Sequence, residues 1–501
     1  LKLHLLKDAD NYDVISTDMD ERRKTEMLTI FLDKERSTPL FVQIYRSIRE
    51  HIETGFLQSG EKIPSVRALA KELGIAPITV ANAYSQLVAE GYLRTRPKSG
   101  FYVESVILGA VPVSLASPSH PSEEPDCPFD FRTNVVDPGG FPFLVWSRLE
   151  REALQTEEPD WINRVDPQGS LALRKEIASA LARHRGFLVD PSRIIVGSGT
   201  EALLGLIVRL LEPSGSFGLE NPGYPKVVRT LQGLHIPYVP LNLDEAGMRP
   251  EDARKAGVSI VHLTPSHQFP SGIVMPVGRR SEWLRWASED PNRWIIEDDY
   301  DSEFRFSGMP IPAMRGMDAS GRVLYLNSFS KSIAPSLRVG YLVLPADLAA
   351  RFREGSPAYA CSVPGFVQTA LCAFLREGEF DRHLNRMKKI YRDKRDTLIA
   401  FLKQSRFGGS CQILHEDSGL HFLLQIQNGM DEITLVETAK KVGVRVQGIS
   451  EYYLSAVGVR GFPTLIIGYS GMSSRDFSAA VSRLESVWAE REFPLPNGDT
   501  K

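Results

Sequence analysis

The sequence predicts a two-part α/β protein, with a small helical domain ending in a β-hairpin followed by a large domain on a mainly parallel sheet. Three observations carry this. The 501 residues exceed one ordinary domain. Prolines and serines accumulate from Ser105 to Pro128, "SVILGAVPVSLASPSHPSEEPDCP", and periodicity fades there. Beyond Phe129, apolar runs such as "RIIVGS", "VSIVHLT", "RWIIEDDY" and "RVLYLNS" alternate with helical stretches, as strands buried on both faces do. The expected parts are a flexible arm (1–38), a front domain (39–104), a linker (105–128) and a large domain (129–495).

Hydrophobic content of 42% and charged content of 24% describe a globular chain rather than a disordered one. A net charge of -3 excludes a generally basic coat for nucleic acid but leaves room for a local basic patch. The cysteines Cys127, Cys361, Cys372 and Cys411 show no metal-ligand spacing and fit a reduced, cytoplasmic setting. The richest apolar run, "ALLGLIVRLL", is too short for a bilayer and contains Arg209, so no membrane partner is expected.

In the front domain, Phe41, Ile44, Ile48 and Ile52 form a helical stripe. Ser65 is an N-cap; Val66, Leu69, Ala70 and Leu73 then recur at helical spacing until Gly74. Pro77 suits the first turn of a third helix whose inner face is Val80, Ala83, Tyr84 and Leu87. Its outer face carries Thr79, Asn82 and Gln86, side chains able to exchange hydrogen bonds with base edges. "GYLRTRPKSGFYV" reads as a hairpin with Arg94, Arg96 and Lys98 near its tip, a wing for phosphates or the minor groove. Each helix alone is an ordinary amphipathic helix; the ordered set is a helix-turn-helix with a wing.

In the large domain, "VGSGTEALL" places Ser198, Gly199 and Thr200 between a strand and a helix, where free N–H groups favour a phosphate. "WIIEDDYDSEF" ends a strand on Glu297, Asp298 and Asp299, followed by Tyr300. Acidic strand ends mostly face solvent, but the carboxyl ends of parallel strands are also where such sheets place sites. "SFSKSIAPSLRVGYLVLP" sets Lys331 between two apolar runs, with Ser328, Ser330 and Arg338 as further phosphate donors. A lone lysine is ordinarily a solvated loop residue. A lysine, a phosphate cradle, a strand-end carboxylate and a phenol together suit pyridoxal phosphate.

The stretch "GEKIPSVRALAKELGIAPITVANAYSQLVAEGYL" resembles the GntR-type winged-helix domain. The resemblance implies DNA contacts from Ser65, Arg67, Thr79 and the wing. It departs at Pro77, where the family usually has an arginine, so one phosphate or base contact is missing. "SFSKSIAPSLRVGYLVLP" and "IEDDYDSEF" resemble fold-type I aminotransferases from about Phe129 onward. That resemblance implies that Lys331 forms an imine with pyridoxal phosphate, that Asp298 pairs with the ring nitrogen and that Tyr300 reaches the ring oxygen. It further implies that Tyr224 stacks on the ring, that Gly199, Thr200, Ser328, Ser330 and Arg338 hold the phosphate, and that His267 in "TPSHQFPSG" is a polar contact. The domain order together with "TPSHQFPSG" and "EDDYDSEF" resembles the MocR/GabR subfamily of GntR-type regulators, which implies a homodimer.

The expected function is therefore a transcriptional regulator that binds an operator of two half-sites in double-stranded DNA. It is expected to sense a small amine, an amino-acid-like effector or the cofactor itself. A working aminotransferase with a fused DNA reader is the alternative, half-transamination stays open, and a cofactor-binding repressor without a switch is a third reading. Aligned with aminotransferases, Ile466 in "LIIGYSGM" stands where an arginine clamps the substrate carboxylate. Lys226 and Arg164 are the candidate replacements, and the loss of the clamp favours sensing over turnover.

Overall fold

The computed structural model describes residues 30–33, 38–105, 127–133, 135–155, 165–213, 215–306, 311–355, 360–417, 419–455 and 462–489. Most of the expected arm, nearly all of the linker and Arg164 lie outside these residues. The chain divides into two compact units, one up to residue 122 and one from residue 123.

The first unit is built from α1 (Leu40–Glu53), α2 (Val66–Leu73), α3 (Pro77–Ala89), β1 (Leu93–Arg96) and β2 (Gly100–Val103). The Ser65 hydroxyl accepts from the Ala68 N–H, and Gly74 closes α2 in the left-handed region at φ 62°. Pro77 occupies the first turn of α3, and Val80, Ala83, Tyr84 and Leu87 are fully buried beneath it. β1 and β2 pair antiparallel from Leu93 opposite Val103 to Arg96 opposite Gly100. Two expectations change here. Phe41 lies on the exposed side of α1, so only Ile44, Ile48 and Ile52 form its inner stripe. Ile30, expected in the flexible arm, is buried in this core, and the Gln43 amide bonds both backbone groups of Asp33 at 2.9 Å. The unit therefore begins before residue 39.

The second unit opens with β3 (Phe129–Asp130) and is organised on a sheet of eight strands. These are β4 (Ile194–Gly197), β5 (Phe217–Asn221), β6 (Tyr238–Asp244), β7 (Gly247–Met248), β8 (Ile260–Leu263), β9 (Trp294–Asp298), β10 (Val323–Ser328) and β11 (Gly340–Val343). Their order is β4-β11-β10-β9-β8-β5-β6-β7. The five strands from β10 to β6 run parallel, while β11 is antiparallel to both its neighbours. β4, β5, β8, β9, β10 and β11 are buried along their whole length, which is why each reads as a continuous apolar run. A smaller antiparallel sheet holds β12 (Cys411–Leu414), β13 (His421–Ile426), β15 (Gln447–Gly448) and β16 (Thr464–Gly468), in the order β12-β13-β16-β15. β14 (Val444–Arg445) pairs in parallel with β3. No helix among the described residues is long and apolar enough to cross a membrane.

Candidate functional site

The carboxyl ends of β8, β9 and β10 and the start of the helix Thr200–Leu211 surround a pocket with room for a small ligand, about 120 Å³. Ser328 closes β10, Phe329 and Ile333 plunge into the core, and Lys331 is left half-buried on the pocket wall between them. The lysine is an exception to the solvated-loop rule because apolar anchors on both sides hold its backbone down. Burial lowers its ammonium to about 8, with Lys226 adding to the lowering and Asp301 pulling the other way. After the turn Pro335–Leu337, Arg338 sits in the left-handed region at φ 52°. From there its guanidinium reaches the Ser198 carbonyl at 3.2 Å and Glu201 at 2.7 Å.

Gly199 lies directly under this guanidinium, at φ 93°. A Cβ there would meet Arg338 Nη2 at 2.6 Å, so only glycine lets the arginine close over the helix start. Thr200, Ser328 and Ser330 line the same corner. Hydroxyls, a guanidinium and a helix N-terminus facing one space form an anion cradle. Ser198 contributes its backbone rather than a pocket-lining side chain; its N–H donates to the Ser362 hydroxyl at 3.1 Å.

On the opposite wall, strand alternation sorts the three acids of β9 and its end. Glu297 faces away and accepts the N–H groups of Met314 and Arg315, both at 2.7 Å. Burial, then the neighbouring Asp299, push its carboxyl up to about 7. Asp299 is fully buried in an ion pair with Arg185 at 2.6 Å. Asp298 alone faces the pocket: His262 Nε2 stands 3.2 Å from its Oδ2, and its Oδ1 is buried without a hydrogen-bond partner. None of the three faces solvent in the way strand-end acids ordinarily do.

Between cradle and acid stand the aromatic groups. Tyr224 and Phe269 meet edge to face at 5.3 Å, and both line the pocket with Tyr300. Ile466 is fully buried behind them in an apolar cluster with Phe269, Leu423 and Tyr452. His267 does not line the pocket, a correction to its expected place beside the ring. It lies one layer back, with Nδ1 3.0 Å from the Tyr300 hydroxyl and 3.0 Å from Asp301. Lys226 is exposed at the rim, 3.4 Å from Glu201. Glu201, His262 and Thr264 were not singled out from the sequence. Glu201 had a signal, an acid in the first turn of the helix after the phosphate-type turn; the other two are placed only by the register of β8 against β9.

The residue set fits pyridoxal phosphate on two observations: the buried, unpartnered Oδ1 of the pocket-lining Asp298, which lacks a donor such as a ring N–H, and the glycine-floored arginine cradle. In the first unit, Asn82, Arg67, Arg94, Arg96 and Lys98 are exposed and Thr79 is half-buried. Gln86 is exposed as well, and its amide donates to Glu90 on the same helix. Arg94 pairs with Glu104 at 3.3 Å, and Arg96 lies over the Tyr102 ring at 4.6 Å.

Comparison with known proteins divides the chain in the same two parts. Residues 40–103 match the bacterial regulatory proteins of the gntR family, and residues 133–484 match aminotransferase class I and II. An uncharacterized HTH-type transcriptional regulator of Bacillus subtilis, YhdI, is 35% identical over 92% of this chain and 98% of its own length. A probable rhizopine catabolism regulatory protein of Rhizobium meliloti, MocR, is 30% identical over 92% of this chain and 96% of its own. Among solved structures, an archaeal alanine:glyoxylate aminotransferase superposes with a TM-score of 0.64 at 22% identity, covering 72% of this chain and 90% of that one. At that identity the likeness is one of fold.

Proposed function

This chain belongs to the MocR/GabR subfamily of GntR-type transcriptional regulators, and from that membership we propose that it binds pyridoxal phosphate at Lys331 and reads a small amine through it. The observation that carries the proposal is the meeting, in one pocket, of a lysine lowered to about 8, an unpartnered aspartate oxygen and an arginine cradle floored by glycine. Pyridoxal phosphate, when bound, supplies an aldehyde for the lysine amine and an electron-withdrawing ring. The chain's own residues do the rest. Arg338, Thr200, Ser328 and Ser330 would hold the phosphate; Asp298, steadied by His262, would accept from the ring nitrogen; Tyr224, in edge-to-face contact with Phe269, would cover one side of the ring and exclude water.

The apolar setting of Ile466 favours a sensor over an aminotransferase. A buried isoleucine among Phe269, Leu423 and Tyr452 offers no fork to a carboxylate beside the reacting amine. Lys226, out at the rim, suits an acid group farther from the nitrogen. Effector binding would favour one of two states that hold the DNA readers of a homodimer differently. Reduction of the cofactor-treated protein with borohydride, followed by peptide mass mapping, should place the adduct on Lys331, and Lys331→Ala should lose it while remaining folded. An adduct on another lysine sinks the assignment. Rapid multiple-turnover transamination of glutamate would instead make the protein an enzyme.

A further inference from the structure

Behind the pocket wall lies a buried polar cluster with no task in the cofactor cradle. His267, on the loop after β8, and Asp301, just past Tyr300, are 2% and 3% exposed. One ring nitrogen, His267 Nδ1, stands 3.0 Å from both Asp301 Oδ2 and the Tyr300 hydroxyl oxygen. The other, Nε2, is buried without a hydrogen-bond partner.

These contacts decide where the protons sit. A bare Nδ1 would face the Asp301 carboxylate lone pair to lone pair in a dry interior. A protonated Nδ1 donates to Asp301 and shares its N–H with the phenol oxygen. It also leaves Nε2 as a bare acceptor, which costs less than burying an unpaired N–H. With its oxygen accepting from His267, the Tyr300 hydroxyl must send its own proton elsewhere, and the pocket it lines is the open side.

We propose that His267 and Asp301 are a positioning pair that turns the Tyr300 O–H into the pocket, making it a fixed donor to the cofactor's ring oxygen. The proposal rests on the pyridoxal phosphate reading above. Burial first, and Asp301 next, hold the phenol well above the ordinary tyrosine range, so it remains protonated and able to donate. Asp298 and Glu220 act on it in the same direction. His421, with its ring 5.0 Å from that of His267, is held by burial down to about 3 and donates from Nε2 to the Pro270 carbonyl. Burial also lowers His415. The neighbouring histidines are therefore neutral near pH 7, and Lys331 is the cation that Asp301 serves besides.

The test is the pH titration of the visible absorbance of the full-length, cofactor-loaded protein. A donor on the ring oxygen competes with the proton shared between that oxygen and the lysine nitrogen, so losing the donor tightens proton binding. His267→Phe, which fills the ring's space, and Tyr300→Phe should each raise the midpoint by about one unit, a tenfold gain in proton affinity. The double variant should shift no further than either single one, because both remove the same donor. His267→Asn can set an amide N–H near the Nδ1 position and should restore the wild-type midpoint, which a merely space-filling role would not require. The proposal is overturned if His267→Phe loads cofactor and titrates like wild type, or if the two shifts add. It is also overturned if one equivalent of a divalent cation leaves with His267→Phe, since His267, Asp301 and His421 bring ligand atoms within 4.8 Å of one another. A wild-type protein without visible absorbance or a trapped adduct would instead sink the cofactor reading, and this proposal with it.

Discussion

Lys331 shares its pocket with Lys226 and feels the pull of Asp301, yet burial outweighs the carboxylate and lowers the ammonium to about 8. At pH 7 about a tenth of the amine is then neutral and able to attack an aldehyde, against less than roughly one part in a thousand for an ordinary lysine. The sign follows from the base: deprotonation creates the nucleophile, so the second-order rate of cofactor capture should climb about tenfold from pH 6 to 7 and level off above about pH 8. Stopped-flow absorbance on the cofactor-free protein measures this. A rate still climbing steadily at pH 10 would mean that the pocket does not lower the lysine. The lysine itself was legible in the sequence because polar phosphate-type donors crowd a short, otherwise apolar stretch. The neighbours that tune it were not, since Asp301 and Lys226 come from distant parts of the chain.

The turn between β4 and the helix Thr200–Leu211 is an element with one permitted residue. Gly199 supplies both a φ of 93° and the missing Cβ that lets Arg338 close over the helix start. Gly199→Ala should therefore push Arg338 aside and weaken cofactor binding by about tenfold or more, the loss of one charge-assisted contact. Equilibrium titration of the absorbance would report it, and unchanged affinity would remove Arg338 from the cradle. At the same scale, β9 shows how far alternation carries. It sends Asp298 to one face and Glu297 and Asp299 to the other, where each meets a buried donor. Period-two geometry is in the sequence; which face holds the pocket is not.

Across the whole molecule, the winged-helix unit carries the exposed cations expected to meet phosphates, Arg67, Arg94, Arg96 and Lys98. Operator binding should weaken with salt, and Arg96→Ala should lower the slope of log K against log[salt] by about 1 without changing sequence preference. Arg94→Ala should do less, because Glu104 already engages that side chain. Electrophoretic mobility or fluorescence anisotropy at several salt concentrations distinguishes these outcomes. A change of preferred sequence with Arg96→Ala would make it a base reader instead.

The sequence by itself determined the division into a winged helix and a parallel α/β unit, the cap and stop of α2 and the first turn of α3, and the placing of the glycine turn, the acid and the lysine at the ends of strands. Those features are local: caps, period-two or helical stripes, and strands apolar throughout because they are buried on both faces. Tertiary structure decided what depends on register between segments far apart. It tied Gln86 to Glu90, drew Ile30 into the first core, brought Glu201 to Arg338, and set His267 against Asp301, 34 residues away, behind Tyr300 rather than in the pocket. A side chain's partner across a sheet is fixed by how neighbouring strands align and which faces the helices cover, and no local pattern encodes that alignment.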